Sequence, residues 1–292
     1  MNRAKFFEVI RASGLLGSSL SQPQVDGTTA LLDSSARNGV TDPDHVAFIL
    51  ANVARETGGH MLGIKETVMP YHKDKNPSDA TVIARLNKAW AAGKLKGVKT
   101  PYWRDGWFGR GPVQITHRDN YVKFEKRLGV PLTKQPALAL DPQIGADIAV
   151  IGMRDGMFRG IKLADFAFPD AVKAPPKNNP RRIVNGNDGS DAEVATSYRV
   201  FRDALRTAGF GASADVPAAP PPEPVEPPKP IPVPTPAPRP QTPPAATPEA
   251  KRPDPAASRP MSALALIIAM LGVALAYLAN LPCDWLGIFC GG

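Results

Sequence analysis

Nineteen of the chain's 33 prolines fall between Pro217 and Pro260. A stretch that rich in proline and alanine, with only scattered charge, cannot bury enough apolar surface to offset the ordering of its backbone. It should run as an extended polyproline II spacer, rising about 3.1 Å per residue. The 292 residues therefore divide into unlike parts. Residues 1–210 are long enough to build a folded domain with its own core. Residues 211–260 form the proline-rich linker. Residues 261–281, MSALALIIAMLGVALAYLANL, carry no charge and match one bilayer crossing. Residues 282–292 are a short tail.

Charge and cysteine narrow the function of the first part. Residues 1–210 hold 30 Lys and Arg against 21 Asp and Glu, an excess larger than the net +8 of the whole chain. Such a domain suits an anionic partner, whether nucleic acid, a membrane surface or an acidic polymer. No Lys/Arg stripe with interleaved aromatics is read from it, so nucleic acid is not expected as a partner. Both cysteines, Cys283 and Cys290, lie in the tail. The domain thus has no disulfide framework, no cysteine metal site and no cysteine nucleophile. Met1 to Leu20 is basic but broken by Ser13, Gly14 and the run from Gly17 to Ser19, and is not read as a cleavable signal. Lys251, Arg252 and Arg259 precede the apolar span and Asp284 alone follows it. The positive-inside rule then expects an inner-membrane anchor with the domain on the cytoplasmic side.

Helical punctuation dominates residues 1–210. Asp42-Pro43 reads as an N-cap followed by proline at the first helical position, with Val46, Ile49, Leu50 and Val53 at helical spacing and Gly58-Gly59 as the stop. Asp141-Pro142 opens a second helix, with Ile144, Ile148, Ile151 and Met153 on it and Gly156 near its end. Ser190 and Glu193 form a capping-box pattern before Val194, Tyr198, Phe201 and Leu205. Thr116 is placed to cap a helix that ends at Gly129. Long loops are expected around 59–77, 93–115 and 167–189. The expected class is mainly α.

Hydrolysis of a glycosidic bond needs one carboxylic acid to protonate the leaving oxygen and a second carboxylate to activate water or attack directly. Glu56 sits at the end of the helix after Asp42, on the side of Ile49 and Val53. Burial and the negative end of a helix both disfavour a charged carboxyl there, which suits a proton donor. No pair of the four histidines has metal-ligand spacing with an acid, and neither a metal nor another cofactor is expected.

Motifs sharpen this reading. Ala54-Arg55-Glu56-Thr57-Gly58-Gly59 resembles the signature around the acid of family 19 glycoside hydrolases, with Arg55 where that family more often has histidine. Ile64-Lys65-Glu66-Thr67 is similar to the closely spaced second glutamate in the phage-endolysin branch of the family. Phe108-Gly109-Arg110-Gly111-Pro112-Val113-Gln114-Ile115-Thr116-His117, followed by Asn120-Tyr121, resembles the family's glycine-rich block and is the most specific signal. Ile183-Val184-Asn185-Gly186 is similar to the family's Asn-Gly turn. The resemblance covers about residues 4–208. The family's late arginine, downstream of that turn, has no match here.

The resemblance implies a lysozyme-like α+β domain that cuts β-1,4 bonds of peptidoglycan glycan strands during host lysis by a bacteriophage. Glu56 would be the acid, Glu66 the second carboxylate, and Thr116 the holder of the attacking water, unless Thr116 is a plain N-cap. Gln114, Asn120, Tyr121 and Asn185 would line the sugar cleft. Arg110 would pair with a nearby carboxylate or serve the substrate. Trp107, with Tyr102 and Trp103, would either stack on sugar rings or pack in the core. A domain held in the cytoplasm would need a holin-type partner to reach the wall. The competing readings are a chitinase and a catalytically inactive, membrane-anchored wall-binding module.

Overall fold

The computed structural model describes residues 1–211 apart from Lys96 and Asn187. The expected linker, membrane span and tail lie outside the described residues, apart from the first residue of the linker. Among the described residues no helix is long and apolar enough to cross a membrane.

The domain is mainly helical. Helix α1 spans Arg3–Ser13, α2 Gln22–Arg37, α3 Pro43–Thr57, α4 Asp79–Ala91, α5 Arg118–Leu128, α6 Pro142–Asp155 and α7 Asp191–Thr207. The expected starts at Asp42-Pro43 and Asp141-Pro142 are helix starts. The Asp42 side chain accepts from the Asp44 amide, and Asp141 accepts from Gln143 and Ile144. Gly58 and Gly156 close these helices in the left-handed conformation that glycine adopts without penalty. The sequence reading did not include α1, α2 or α4.

Helix α3 is the axis of the core. Every residue from Val46 to Ala54 is buried, the pattern of a helix covered on all sides rather than on one stripe. It packs mainly against α7, while α2 packs against α6. Gly27 of α2 makes one close approach possible, because a Cβ there would stand 2.4 Å from the Met61 carbonyl oxygen. This seats the segment after α3 directly on α2.

That segment forms the sheet. β1 (Ile64–Lys65) pairs antiparallel with β2 (Arg110–Gly111), Ile64 opposite Gly111 and Lys65 opposite Arg110. A second, smaller hydrophobic cluster of Val82, Leu86, Trp103 and Phe108 joins α4 to the turn Tyr102–Asp105. The molecule thus has a large core around α3 and a satellite core around α4, with the β pair beside the satellite.

Two expected caps are corrected. The capping residue of α5 is His117, not Thr116, and it lies at a φ of 63° with no side-chain cap. Ser190 precedes α7, but Glu193 does not fold back on it. Glu193 pairs with Arg55 at 3.1 Å, and the Ser190 hydroxyl donates to Asp188.

Candidate active site

Glu56 leaves the core at the end of α3, with its side chain 15% exposed. Asn52, one turn earlier and fully buried, stands on the same helix face. The next wall is the segment from Val113 to Asn120, and the third is Val184-Asn185. Together these enclose a cleft of about 180 Å³ lined by Glu56, Gln114, Thr116, Asn120, Phe158 and Asn185. Five of the expected site residues therefore meet in one cavity, from three stretches of chain far apart in sequence.

Backbone conformation shapes the middle wall. Gln114 and His117, on either side of Thr116, both have positive φ, 53° and 63°. Side-chain-bearing residues rarely adopt that region, and such residues cluster where a binding surface needs them. Gln114 is held by its own amide, which donates to the carbonyls of Ile64 at 2.7 Å and Gly111 at 2.8 Å. Asn120 donates to the Thr116 carbonyl at 2.8 Å. Both amides thus brace the cleft wall with one end.

Glu66 follows β1 and is held at both oxygens. Oε1 accepts from the Tyr102 hydroxyl at 2.8 Å, and Oε2 from the Gly109 amide at 2.7 Å. Burial raises the Tyr102 phenol well above its ordinary range, and the neighbouring Glu66 charge raises it further, so Tyr102 is the donor. Gly109 separates Glu66 from the cleft wall. A Cβ on it would lie 2.8 Å from Gln114 Oε1 and 3.4 Å from the Glu66 Cβ, so only glycine lets these groups approach so closely.

Arg110 and Tyr121 do not line the cleft. Arg110 is 2% exposed and Tyr121 fully buried. Arg110 donates to Asp79 at 2.8 Å, to the Gly106 carbonyl at 2.7 Å and to the Tyr121 hydroxyl at 3.1 Å. Its guanidinium lies 3.6 Å from the centre of the Phe108 ring. The carboxylate partner expected for Arg110 is thus Asp79, and the pair ties the glycine-rich loop to the start of α4. Trp107 is half-buried and packs against Tyr121, ring centres 5.3 Å apart. Trp103 is fully buried in the satellite core.

No protein-family profile matches the chain, and no curated protein does. Among solved structures, a mutant of chitinase C aligns over 63% of this chain and 83% of that one, at 20% identity and a TM-score of 0.40. Chitinase C from Streptomyces griseus aligns over 63% of this chain and 69% of that one, at 21% identity and a TM-score of 0.38. Both likenesses are distant.

One residue of the site escapes the sequence reading. Arg181, in the short turn Pro180–Ile183, reaches across 125 residues of chain to the Glu56 carboxylate. Its other donors go to Asn52 at 2.6 Å, Asp188 at 2.8 Å and Ser190 at 2.8 Å. It is 3% exposed. Burial opposes its charge, but Glu56 and Asp188 outweigh burial and hold it firmly protonated. The surroundings of Glu56 therefore differ from the expectation: beside the helix end, its carboxyl group is in direct contact with the buried Arg181 guanidinium. The family's late arginine, downstream of Asn185-Gly186, has no match in this chain, and Arg181 lies four residues upstream of Asn185. The Asn-Pro-Arg at 179–181, with Asn179 capping a proline-led turn, is the local signal that marks it.

Asp188 is the permanent anion of this network. Burial works against its charge, yet hydrogen bonds from Ser190 and Arg181 outweigh burial and bring it down to about 2. A carboxyl depressed in the folded state adds stability above its unfolded value of about 3.9, and that stability disappears as pH falls through the folded value. Because the group is partly exposed, solvent screening limits the contribution to about 1 kcal/mol. Asp188→Asn is therefore expected to lower stability at pH 7 and to flatten the loss between about pH 4 and pH 2. Chemical denaturation across that range reads it, and an unchanged acid limb in the variant would refute the assignment.

Proposed function

We propose that this chain is a two-carboxylate glycoside hydrolase of the peptidoglycan-cleaving type. The observation that carries the reading is the single cleft that gathers Glu56, Gln114, Thr116, Asn120 and Asn185, with Glu66 braced beside its wall through Gly109. In this reading protonated Glu56 gives its proton to the leaving glycosidic oxygen. A water held at Thr116 attacks the anomeric carbon from the opposite face and passes its proton to Glu66. Inversion follows, with the carboxyls about 6.5–9.5 Å apart in the reacting complex. The free ends of the cleft amides meet sugar hydroxyl and acetamido groups, since an amide both donates and accepts. Asp188 has a role here too: it keeps Arg181 compensated when Glu56 takes up its proton. The lysozyme-like description of the domain belongs to the same proposal.

The test is mass analysis of fragments released from purified peptidoglycan by the full-length protein. The new reducing end names the bond that is cut. No release from either peptidoglycan or chitin oligomers by folded protein would sink the hydrolase reading; release from chitin alone would establish the chitinase. One observation favours the inactive wall-binding module: Glu56 is ion-paired and both Glu66 oxygens already accept hydrogen bonds. Binding without release in the same assay would support it.

The proposal includes the membrane. The uncharged span 261–281, preceded by Lys251, Arg252 and Arg259, tethers the enzyme to the bacterial inner membrane with its domain inside. Release to the wall during phage lysis then needs permeabilisation by a holin-type partner. Protease added to spheroplasts with intact inner membranes decides the topology: digestion of the domain overturns it.

A further inference from the structure

The α4 region concentrates positive charge. Between Ala80 and Arg104 stand Arg85, Lys88, Lys94, Lys96, Lys99 and Arg104, with no Asp or Glu. The fold gathers part of the run around a cavity of about 290 Å³, walled by Val68 to Tyr71 on one side and by Arg85, Lys88, Ala89 and Lys94 on the other. Arg85 is already compensated, pairing with Asp74 at 2.7 Å and covering the Tyr71 ring at 4.2 Å. Lys88 and Lys94 are exposed and have no carboxylate partner among the described residues. Met69, 54% exposed, lines the cavity as well. The site therefore offers apolar walls and two open ammonium groups.

Its position gives these features a use. Val68, on the cavity wall, is two residues from Glu66, a separation of at most about 7 Å along the chain. The cavity wall and Glu66 thus belong to one short stretch of chain. Neutral glycan offers two ammonium groups only uncharged acceptors, whereas a glycan with carboxylate-bearing side branches offers opposite charge and stronger hydrogen bonds.

We propose that the cavity between Val68–Tyr71 and α4 binds the acidic peptide stem of peptidoglycan, its carboxylates meeting Lys88 and Lys94 while the glycan strand lies across Glu66. The proposal rests on the hydrolase reading and adds to it the feature that separates peptidoglycan from chitin. Nucleic acid fits less well, because its affinity grows with the number of phosphates neutralised and this cavity has only two open cations.

The test compares wild type with Lys88→Gln/Lys94→Gln and with the charge-keeping Lys88→Arg/Lys94→Arg. Substrates are intact peptidoglycan and glycan strands stripped of stems by an amidase. The Gln pair is expected to raise KM on intact peptidoglycan by roughly three- to tenfold, the scale of two partly exposed ion pairs, with kcat unchanged. Stripped strands should be cut equally by all three proteins, and the Arg pair should restore the wild-type KM. Equal changes on both substrates, or none on intact peptidoglycan, overturn the proposal. A titration of the free stem peptide into each full-length protein reads the cavity without turnover. If wild type cuts neither polymer, the hydrolase reading fails on its own, and this titration still decides the cavity. Weaker binding to the Gln pair supports it, and equal binding overturns it. Displacement of the peptide by a more tightly bound oligonucleotide also overturns it.

Discussion

Glu56→Gln is expected to abolish release of glycan fragments, by at least the 10²- to 10⁴-fold typical of lost general acid catalysis. The amide keeps the shape of the glutamate but has no proton to give to a leaving oxygen. The fold should survive the change. Arg181 retains Asn52, Asp188 and Ser190 as partners, and the new amide oxygen still accepts from it. Circular dichroism and an unfolding curve establish that the variant is folded, and turnover on purified peptidoglycan reads the effect. Near-normal turnover by a folded variant would remove Glu56 from the proposed acid position.

Arg181→Ala carries the largest expected cost in stability. The guanidinium is buried and answers two carboxylates, a buried amide and a hydroxyl. Removing one partner of a buried charge network leaves the others uncompensated, at a cost of about 3–5 kcal/mol. Arg181→Lys should recover only part of it, because a single ammonium cannot present the planar fork that spans four acceptors. Denaturant midpoints read both effects. An Arg181→Ala loss under about 1 kcal/mol, well short of the buried-pair range, would show that Glu56 and Asp188 are solvated and that Arg181 does not organise the site.

These two residues also mark where sequence reading succeeds and where it stops. Glu56 was legible because a capped apolar helix delivers it and a glycine pair stops the helix behind it. Gln114, Thr116, Asn120 and Asn185 were singled out by the resemblance of their motifs, and the fold brings them into one cleft. Motif spacing does not say which side of the chain faces the cleft. Arg110 and Tyr121 share a block with Gln114 and Thr116, yet they are buried supports. Thr116 looked like an N-cap because the cap preference is local, while the structure spends a positive φ at His117 to turn the chain one residue later. Arg181 was missed for the opposite reason. Its partners are far away in sequence, and a guanidinium that reaches Glu56 across 125 residues leaves no periodic trace. Helix α4 was not expected, although Val82, Leu86 and Ala89 stand buried at helical spacing along it.

The division into two cores separates the two carboxylates in their mechanical footing. Glu56 stands on α3, which is sheathed by the large core. Glu66 is clasped by Tyr102, whose turn is anchored in the cluster of Val82, Leu86, Trp103 and Phe108. A small cluster opens at lower free energy than a large one. Under rising temperature the clasp on Glu66 should slacken while α3 still holds its register. The domain would then carry a molecular fuse: the clasp on Glu66 lets go first, and the fold around α3 outlasts it.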